Sequence, residues 1–371
     1  MLHFLPLLFA IHNYDYGRTF TQRPVFPQYG MPKYIVFPKP GICRKMCVRR
    51  EIHTWSQMEV VRFRNAINLM YKDGLWRQLV QIHIDARQYA HWNSLLFPFH
   101  RGFLAILEQT LQTYYDPNIC LPYWDVAREA VNPFASAVWG PQYFGGNGIP
   151  QANYCVRSGP FIHFIDNNGV CLQRTLGLSS QMQQRPANFG FFVDRSTINR
   201  IITESLNYED FRGIIELFPH QMFHTSVGGT MRSMGSPLDP LFYLFHAFID
   251  KTWYDFQIIR GRTMQPYSGS TVDMRQTMYW VRLSGYQVLD PRQLCYTYAN
   301  TLPAAQSFMV QSFPPIPFDW LRMNNIPQQE VQRWTQRFQT FLPTQIARGP
   351  TSMALEASPG AEVKYNTTTS N

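Results

Sequence analysis

Six histidines fall into two sets of three, and their spacing constrains this chain more than any other feature of its sequence. His220 and His224 are four residues apart directly after Pro219, so on a helix both imidazoles face the same side. His246 follows on the next predicted helix and completes a set drawn from two helices. The first half of the chain holds the second set, His83, His91 and His100. Neutral imidazoles without thiolate or carboxylate ligands suit copper, zinc, iron or nickel, so each set predicts a metal site.

The first set can bind one ion only if the backbone changes direction between two of its members. His83 and His91 are eight residues apart, which in a continuous helix is a rise of about 12 Å. The helix must therefore end between them, and His100 must return from the next helix. A lone histidine in such a position is more simply interpreted as a hydrogen-bonded core residue. Two matched sets favour metal binding over that interpretation.

Capping signals and apolar spacing predict a mainly α fold. Ser56 and Glu59 fit a capping box, and the apolar spacing that follows ends at Asp73-Gly74. Further helices are predicted over residues 75–89 and 98–115, from near 207, after Pro219, and from Asp239-Pro240. Residues 130–190 are rich in Gly, Pro, Asn and Ser without a long apolar period, which predicts long irregular loops.

Composition narrows the class of protein further. With 371 residues and 45% apolar residues, the chain can bury a sizeable core. No run approaches the roughly 18–20 apolar residues that a membrane-spanning helix needs, so we expect no membrane insertion. The formal charge is +9, but the basic residues are scattered and their densest cluster, residues 44–50, is short. We therefore expect no nucleic-acid partner, and an acidic extracellular matrix is the expected contact of a basic surface.

The two ends of the chain and its cysteines indicate secretion. Residues 1–16 begin with the apolar run MLHFLPLLFA and are predicted to be a signal peptide, followed by an irregular lead-in over 17–42. Six cysteines in a secreted chain predict disulfides, but 15 pairings are possible and the sequence does not choose among them. Asn366 begins a glycosylation sequon within residues 350–371, a tail that we expect to be disordered.

Longer motifs around the histidines resemble the tyrosinase family. Residues 91–104 (HWNSLLFPFHRGFL) and 121–125 (LPYWD) resemble its first copper-binding motif. Residues 220–224 (HQMFH), 227–229 (VGG) and 239–253 (DPLFYLFHAFIDKTW) resemble the second copper-binding motif of the family. Residues 295–298 (CYTY) are similar to the Tyr-x-Tyr element that closes the central domain of the family. The resemblance covers residues 43–298, and its overall character is nearest to secreted mollusc and other invertebrate members.

This resemblance implies a four-helix bundle that encloses a binuclear copper site, with O2 as co-substrate. Each copper would be held by three histidines, namely His83, His91 and His100 for the first and His220, His224 and His246 for the second. His53 competes with His83 for the first position, because the spacing to that ligand varies in the family. The copper domain would span residues 43–298. Residues 299–349 would form a C-terminal extension packed on it, because they carry large apolar side chains.

The resemblance also suggests roles for four residues beside the ligands. Glu216 and Gln221 would hold a water that deprotonates a phenol, although relatives carry Asn where this chain has Gln221. Thr225 would lie over the entrance, and Asp250 would orient a ligand imidazole. The alternatives stay open: a surface carboxylate for Glu216, a helix cap for Thr225 and a helix-side carboxylate for Asp250. In some relatives a cysteine two residues before the second ligand forms a thioether, which Tyr89 at that position excludes.

The function implied by the family is a secreted, copper-dependent phenol oxidase of the tyrosinase or catechol oxidase type. Its substrates would be phenolic small molecules, or tyrosine and DOPA side chains of matrix proteins, oxidised to o-quinones for crosslinking or pigmentation. Two alternatives belong to other classes: a hemocyanin-like oxygen-binding protein, and a matrix protein whose copper site is catalytically silent.

Overall fold

The computed structural model describes residues 32–130, 132–177, 192–261, 264–299, 321 and 326–342. From Lys33 onward these residues belong to one compact unit. The predicted signal peptide over 1–16, the sequon at Asn366 and the tail over 350–371 lie outside the described residues, as do residues 17–31 of the lead-in.

Helices make up most of the described regular structure, as the sequence predicts. They are α1 (Gln57–Lys72), α2 (Leu75–Asp85), α3 (Arg87–Ala90), α4 (Leu96–Tyr114), α5 (Arg195–Glu204), α6 (Tyr208–Ile215), α7 (Gln221–Val227), α8 (Leu241–Arg260), α9 (Gly285–Val288) and α10 (Gln328–Gln339). Four short strands are described: β1 (Cys47–Arg49) pairs in parallel with β4 (Tyr296–Tyr298), and β2 (Thr277–Met278) pairs antiparallel with β3 (Leu283–Ser284). The predicted mainly α fold is confirmed.

Helix α1 begins with the predicted capping box. The Ser56 hydroxyl accepts the backbone N–H of Glu59, and the Glu59 carboxylate accepts the N–H of Ser56. The helix predicted over residues 75–89 is wrong in its extent, because α2 ends at Asp85 and the short α3 follows. His91 then lies in extended backbone directly after α3. This break meets the requirement that the helix end between His83 and His91.

A wide helical turn, Glu216–His220, joins α6 to α7 and contains Pro219. Proline has no backbone N–H to donate to the helix, and its ring clashes with the preceding turn. A wide turn accommodates both effects, so the helix continues through Pro219. The helix predicted to start after Pro219 is thus the continuation of the preceding one. His220 closes the wide turn, and His224 lies one turn further along in α7.

Three helices escaped the sequence analysis, namely the four-residue α9 and the longer α5 and α10. Helix α5 is capped by Asp194, whose carboxylate accepts the N–H of Thr197, and it packs along α8. Only Ile198, Ile201 and Ile202 mark its apolar face, which is a short signal. Helix α10 lies in the C-terminal extension, where Val331, Trp334 and Phe338 form its buried stripe.

Helix α10 docks on α6 and the wide turn. The Phe338 ring stacks on Phe218 with centroids 3.9 Å apart, and Arg337 pairs with Asp210 at 3.0 Å. Trp334 lies directly over Gly213, where a Cβ would overlap its indole ring. The element that carries His220 is therefore supported from behind by the C-terminal extension. Packing of the remainder of residues 299–349 stays a prediction, because most of them lie outside the described residues.

Three disulfides are present: Cys43–Cys295, Cys47–Cys120 and Cys155–Cys171. The prediction that the cysteines pair is confirmed. The first bridge lies beside the pairing of β1 with β4 and ties the beginning of the region 43–298 to its end, while the second joins β1 to the segment that follows α4. In the part of the chain that the structure describes, none of the helices combines the length and apolar character needed to cross a membrane.

We predict that the α10 contact stabilises the whole domain. Trp334→Ala should lower the free energy of unfolding by about 3–5 kcal/mol, because it removes a buried indole. Gly213→Ala should lower the free energy of unfolding by about 1–3 kcal/mol, because the added methyl group displaces the indole ring of Trp334. Urea unfolding measures both. The exposed Gln336→Ala on α10 is the control, with a change within about 0.5 kcal/mol. If both variants matched that control, the docking of α10 would contribute nothing to stability.

Candidate metal centre

The structure brings the six predicted histidines into two groups of three. Within each group the candidate ligand nitrogens all lie within 4.8 Å of one another. The first group comprises His83 on α2, His91 after α3 and His100 on α4; the second comprises His220 in the wide turn, His224 on α7 and His246 on α8. All six side chains are buried, with exposures between 1% and 6%.

Backbone carbonyls fix the orientation of four of these imidazoles. The Nδ1 of His91 and of His100 lie 2.9 and 2.8 Å from the carbonyls of Arg87 and Leu96, one turn earlier. The other two contacts, both 2.8 Å, are His83 Nδ1 to Met234 O and His224 Nδ1 to Met231 O. Because a carbonyl only accepts, Nδ1 carries the proton in each ring, and the Nε2 lone pair is left for a metal.

The Nε2 atoms meet at distances that fit a shared cation. His83 Nε2 and His100 Nε2 are 3.4 Å apart, and both carry lone pairs, so no proton lies between them. Two nitrogens about 2.0 Å from one tetrahedral ion are separated by about 3.3 Å. His224 Nε2 and His246 Nε2 are 3.2 Å apart in the second group. The arrangement therefore fits one metal ion in each group.

Burial keeps the imidazoles neutral. It lowers the pKa of His91 and of His224 to about 4 and that of the other four histidines well below the ordinary value. A protonated imidazole cannot bind a metal, so the environment holds the ligands in their binding form at neutral pH.

The two groups face each other across a narrow gap. The rings of His100 and His246 stack with centroids 4.3 Å apart, and Phe242 contacts both His83 and His246. A cavity that is partly open to solvent reaches His83 and His91 of the first group and His220 and His224 of the second. The cavity gives one molecule access to both metal positions.

Glu216 is completely buried, so the surface interpretation is wrong. One carboxylate oxygen accepts the backbone N–H of Trp92 at 2.6 Å, and the other pairs with Arg212. Burial raises the pKa of Glu216 to about 7, against the opposing effect of Arg212. Trp92 follows His91 and has a φ of 60°, a conformation that is strained for a residue with a side chain. Glu216 thus connects the second histidine group to the segment that positions the first.

Gln221 and Thr225 differ in their relation to the cavity. Gln221 lines it, and its buried amide nitrogen has no hydrogen-bond partner among the described residues. Thr225 is not among the residues that line the cavity, and its hydroxyl donates to the carbonyls of Gln221 and Met222. The hydroxyl of Thr225 satisfies carbonyls of its own helix, as the helix-cap alternative expects, and its position over the entrance stays a prediction.

The expected contact between Asp250 and a ligand imidazole is also wrong. One Asp250 oxygen accepts Arg101 Nε at 2.6 Å, while the other accepts the hydroxyls of Tyr296 and Tyr298 at 2.5 and 2.7 Å. Arg49 lies 3.5 Å away. The carboxylate is drawn to these buried cations and phenols, and it joins α8 to the Tyr-x-Tyr strand rather than to the metal ligands.

The other two described histidines, His53 and His163, lie apart from both groups. His53, the competitor of His83, lies 2.9 Å from Glu51 and 3.3 Å from Glu129 and belongs to neither group. His163 is exposed and contacts the Tyr71 ring. The sequence analysis missed the orienting carbonyls of Met231 and Met234. Backbone acceptors carry no side-chain signal, so sequence reasoning had no way to find them.

A comparison with known families agrees with this geometry. The profile of the common central domain of tyrosinase matches residues 73–259, which is 187 of the 371 residues and so half of the chain. A tyrosinase-like protein of Diaporthe leptostromiformis is 28% identical over 251 residues, which cover 59% of this chain and 65% of the relative. The tyrosinase of Streptomyces antibioticus is 29% identical over 258 residues, covering 63% of this chain and 92% of the relative. The chain thus spans just under two thirds of the fungal relative. The predicted similarity of this chain to invertebrate members of the family stays a prediction.

Solved structures of polyphenol oxidases are also similar. One from Thermothelomyces thermophila is 22% identical, with a TM-score of 0.46, and the match covers 60% of this chain and 73% of that one. A latent aurone synthase is 20% identical, with a TM-score of 0.49, and the match covers 74% and 61%.

The corrected role of Asp250 yields a prediction. Asp250→Asn should lower the free energy of unfolding of the metal-free protein by about 3 kcal/mol or more, because it leaves buried guanidinium charge uncompensated. Urea unfolding measures this, with the exposed Asp273→Asn as the matched control. Unchanged stability together with weakened metal binding would instead support the imidazole-orienting role.

Proposed function

Because this chain belongs to the tyrosinase family, we propose that it is a copper-dependent phenol oxidase that converts mono- or o-diphenols to o-quinones with O2. The observation that carries the proposal is the pair of facing histidine groups, in which Nε2 lone pairs converge and carbonyls hold Nδ1 of four of the six rings. The cavity favours turnover of a phenol over oxygen carriage alone, because it opens to solvent beside both groups and gives a phenol a route to them.

In this proposal each group of three histidines holds one copper through Nε2. When bound, the copper pair would supply the binding and activation of O2 and the two-electron oxidation of the phenol. The protein supplies neutral ligands, a fixed tautomer and an apolar surrounding in which Phe242 packs against both groups. The packing of Phe242 limits the contact of water with both groups.

Gln221 and Glu216 are proposed to handle the phenolic proton. The unpartnered Gln221 amide nitrogen would donate a hydrogen bond to a water or to the phenol oxygen in the cavity. Glu216, with a pKa of about 7, is suited to accept a proton near neutral pH, and a water held by Gln221 would carry it there. Arg212 and the Trp92 N–H would stabilise the carboxylate charge when the proton leaves.

The surroundings in which this chemistry takes place are also part of the proposal. The three disulfides support an oxidising, extracellular location, because such bridges persist mainly in secreted proteins. There the substrates would be phenolic small molecules or the tyrosine and DOPA side chains of matrix proteins. The quinones would then serve matrix crosslinking or pigmentation.

The ligand assignment predicts two coppers per chain. Metal analysis of copper-loaded protein should give a ratio near two, and oxygen uptake with L-DOPA should follow it. His246→Ala should lower the ratio to about one and abolish oxygen uptake, because it removes an imidazole that no described residue replaces. His163→Ala, on an exposed histidine, should leave both unchanged. A ratio of one in the parent, or a preference for zinc, would contradict the assignment.

The position of Gln221 predicts weak hydroxylation of monophenols relative to oxidation of diphenols. Gln221→Asn should raise the rate with tyrosine relative to the rate with L-DOPA, because the shorter side chain returns the amide to the position usual in relatives. Oxygen uptake with the two substrates measures the ratio, and the exposed Gln88→Asn is the control. A ratio that stays flat or falls would show that Gln221 does not hold the water.

A further inference from the structure

One loop holds a ligand from each metal position. Between α7 and α8, the carbonyl of Met231 lies 2.8 Å from Nδ1 of His224, in the second group. The carbonyl of Met234 lies 2.8 Å from Nδ1 of His83, in the first group. We call residues 231–234 the anchor loop. The other two ligand-to-carbonyl contacts are local to the first group, so among the described contacts of this kind the anchor loop alone serves both groups.

The Ser233 side chain closes the anchor loop on itself. Its hydroxyl donates to the carbonyl of Thr230 at 3.0 Å and accepts the backbone N–H of Gly235 at 3.1 Å. These partners are the residues directly before and directly after the loop. The backbone N–H of Ser233 also donates to the Thr230 carbonyl, at 3.1 Å. The carbonyls of Met231 and Met234 are therefore joined by a stiff connection, and a shift of one is transmitted to the other.

The converging lone pairs of the ligands act on the loop in the metal-free protein. His83 Nε2 lies 3.4 Å from His100 Nε2, and His224 Nε2 lies 3.2 Å from His246 Nε2. Lone pairs at these distances repel, so each loop-held ring is pushed away from its neighbour and strains the bond to its carbonyl. A bound cation reverses the repulsion and makes Nδ1–H a stronger donor, because the hydrogen bond becomes charge-assisted. A metal ion in either group therefore holds the loop more firmly.

We propose that Ser233 is a positioning residue that couples the two metal positions, so that the two copper ions bind cooperatively. The first ion fixes one ring, the carbonyl that holds it and, through Ser233, the carbonyl at the other end of the anchor loop. The second ion then meets an imidazole that is already oriented, and the loop does not lose its freedom a second time. The coupling is reciprocal, so it does not depend on which group is filled first. This inference rests on the copper ligation in the proposed function and not on the turnover of a phenol.

Native mass spectrometry of the full chain with Cu(I) tests the inference, because it counts the chains that hold no ion, one ion and two ions. The absence of O2 leaves the protein as the link between the two ions. At one Cu(I) per chain, independent positions of equal affinity would leave about half of the chains with one ion, and unequal affinities would raise that fraction. A coupling of about tenfold lowers the fraction to about a quarter, which is the result expected for the parent. A parent fraction of one half or more would overturn the inference.

Variants of Ser233 test its part in the coupling. Ser233→Gly removes both hydroxyl contacts and frees the backbone between the two carbonyls, so the fraction of chains with one ion should rise to about one half. Ser233→Thr keeps the hydroxyl and should match the parent. Ser158→Gly is the matched control, because the exposed Ser158 hydroxyl accepts the N–H of Gly146 at 3.0 Å and does not line the cavity. A fraction in Ser233→Gly equal to that of the parent would overturn the inference.

The same measurement separates coupling from a loss of folding and from the proposed function. Partial unfolding of a metal-free variant would lower the fraction with one ion, because the first ion would then fold the chain for both. It therefore cannot imitate the predicted rise. Independent binding of two ions by the parent would refute the coupling while the copper centre stands. Cooperative binding without oxygen uptake on L-DOPA would support the coupling and contradict the proposed oxidase activity.

Discussion

The hydrogen bonds from imidazole Nδ1 to backbone carbonyls are the interactions on which the metal centre depends. Each such bond fixes a tautomer, a ring orientation and the direction of the Nε2 lone pair at once. Two of the carbonyls come from the helix turn that precedes the ligand, and two come from the anchor loop, residues 231–234. The converging lone pairs repel one another until a cation neutralises them. The fold therefore holds the imidazoles in the orientation in which they bind a metal ion.

The remainder of the structure holds the elements that carry these rings. Asp250 ties α8 to Arg101 on α4 and to the tyrosines of β4, so two ligand-bearing helices share one buried ion network. Helix α10 supports the wide turn from behind through Trp334 and Phe338. Glu216 connects that turn to the strained backbone after His91. Stability and ligand geometry thus depend on the same contacts.

The sequence predicted the parts of this arrangement that depend on local spacing. The four-residue spacing of His220 and His224, the capping box at Ser56 and the necessary break after His83 all follow from helix geometry. Asp250 was misassigned because its partners lie far away in the chain and no spacing rule connects them. Glu216 and Arg212 look like an ordinary surface pair four residues apart, and only the tertiary fold shows that they are buried. The short helices α5 and α10 have too few apolar residues for a clear period.

Copper-loaded crystals offer the most direct test of the central claim, that the carbonyl-held imidazoles present Nε2 to two copper ions. Anomalous X-ray diffraction should show two copper peaks per chain, each about 2.0 Å from the Nε2 atoms of one histidine group. The Nδ1-to-carbonyl contacts of His83, His91, His100 and His224 should remain intact. A single copper peak, or ligation through Nδ1 with those contacts broken, would contradict the account.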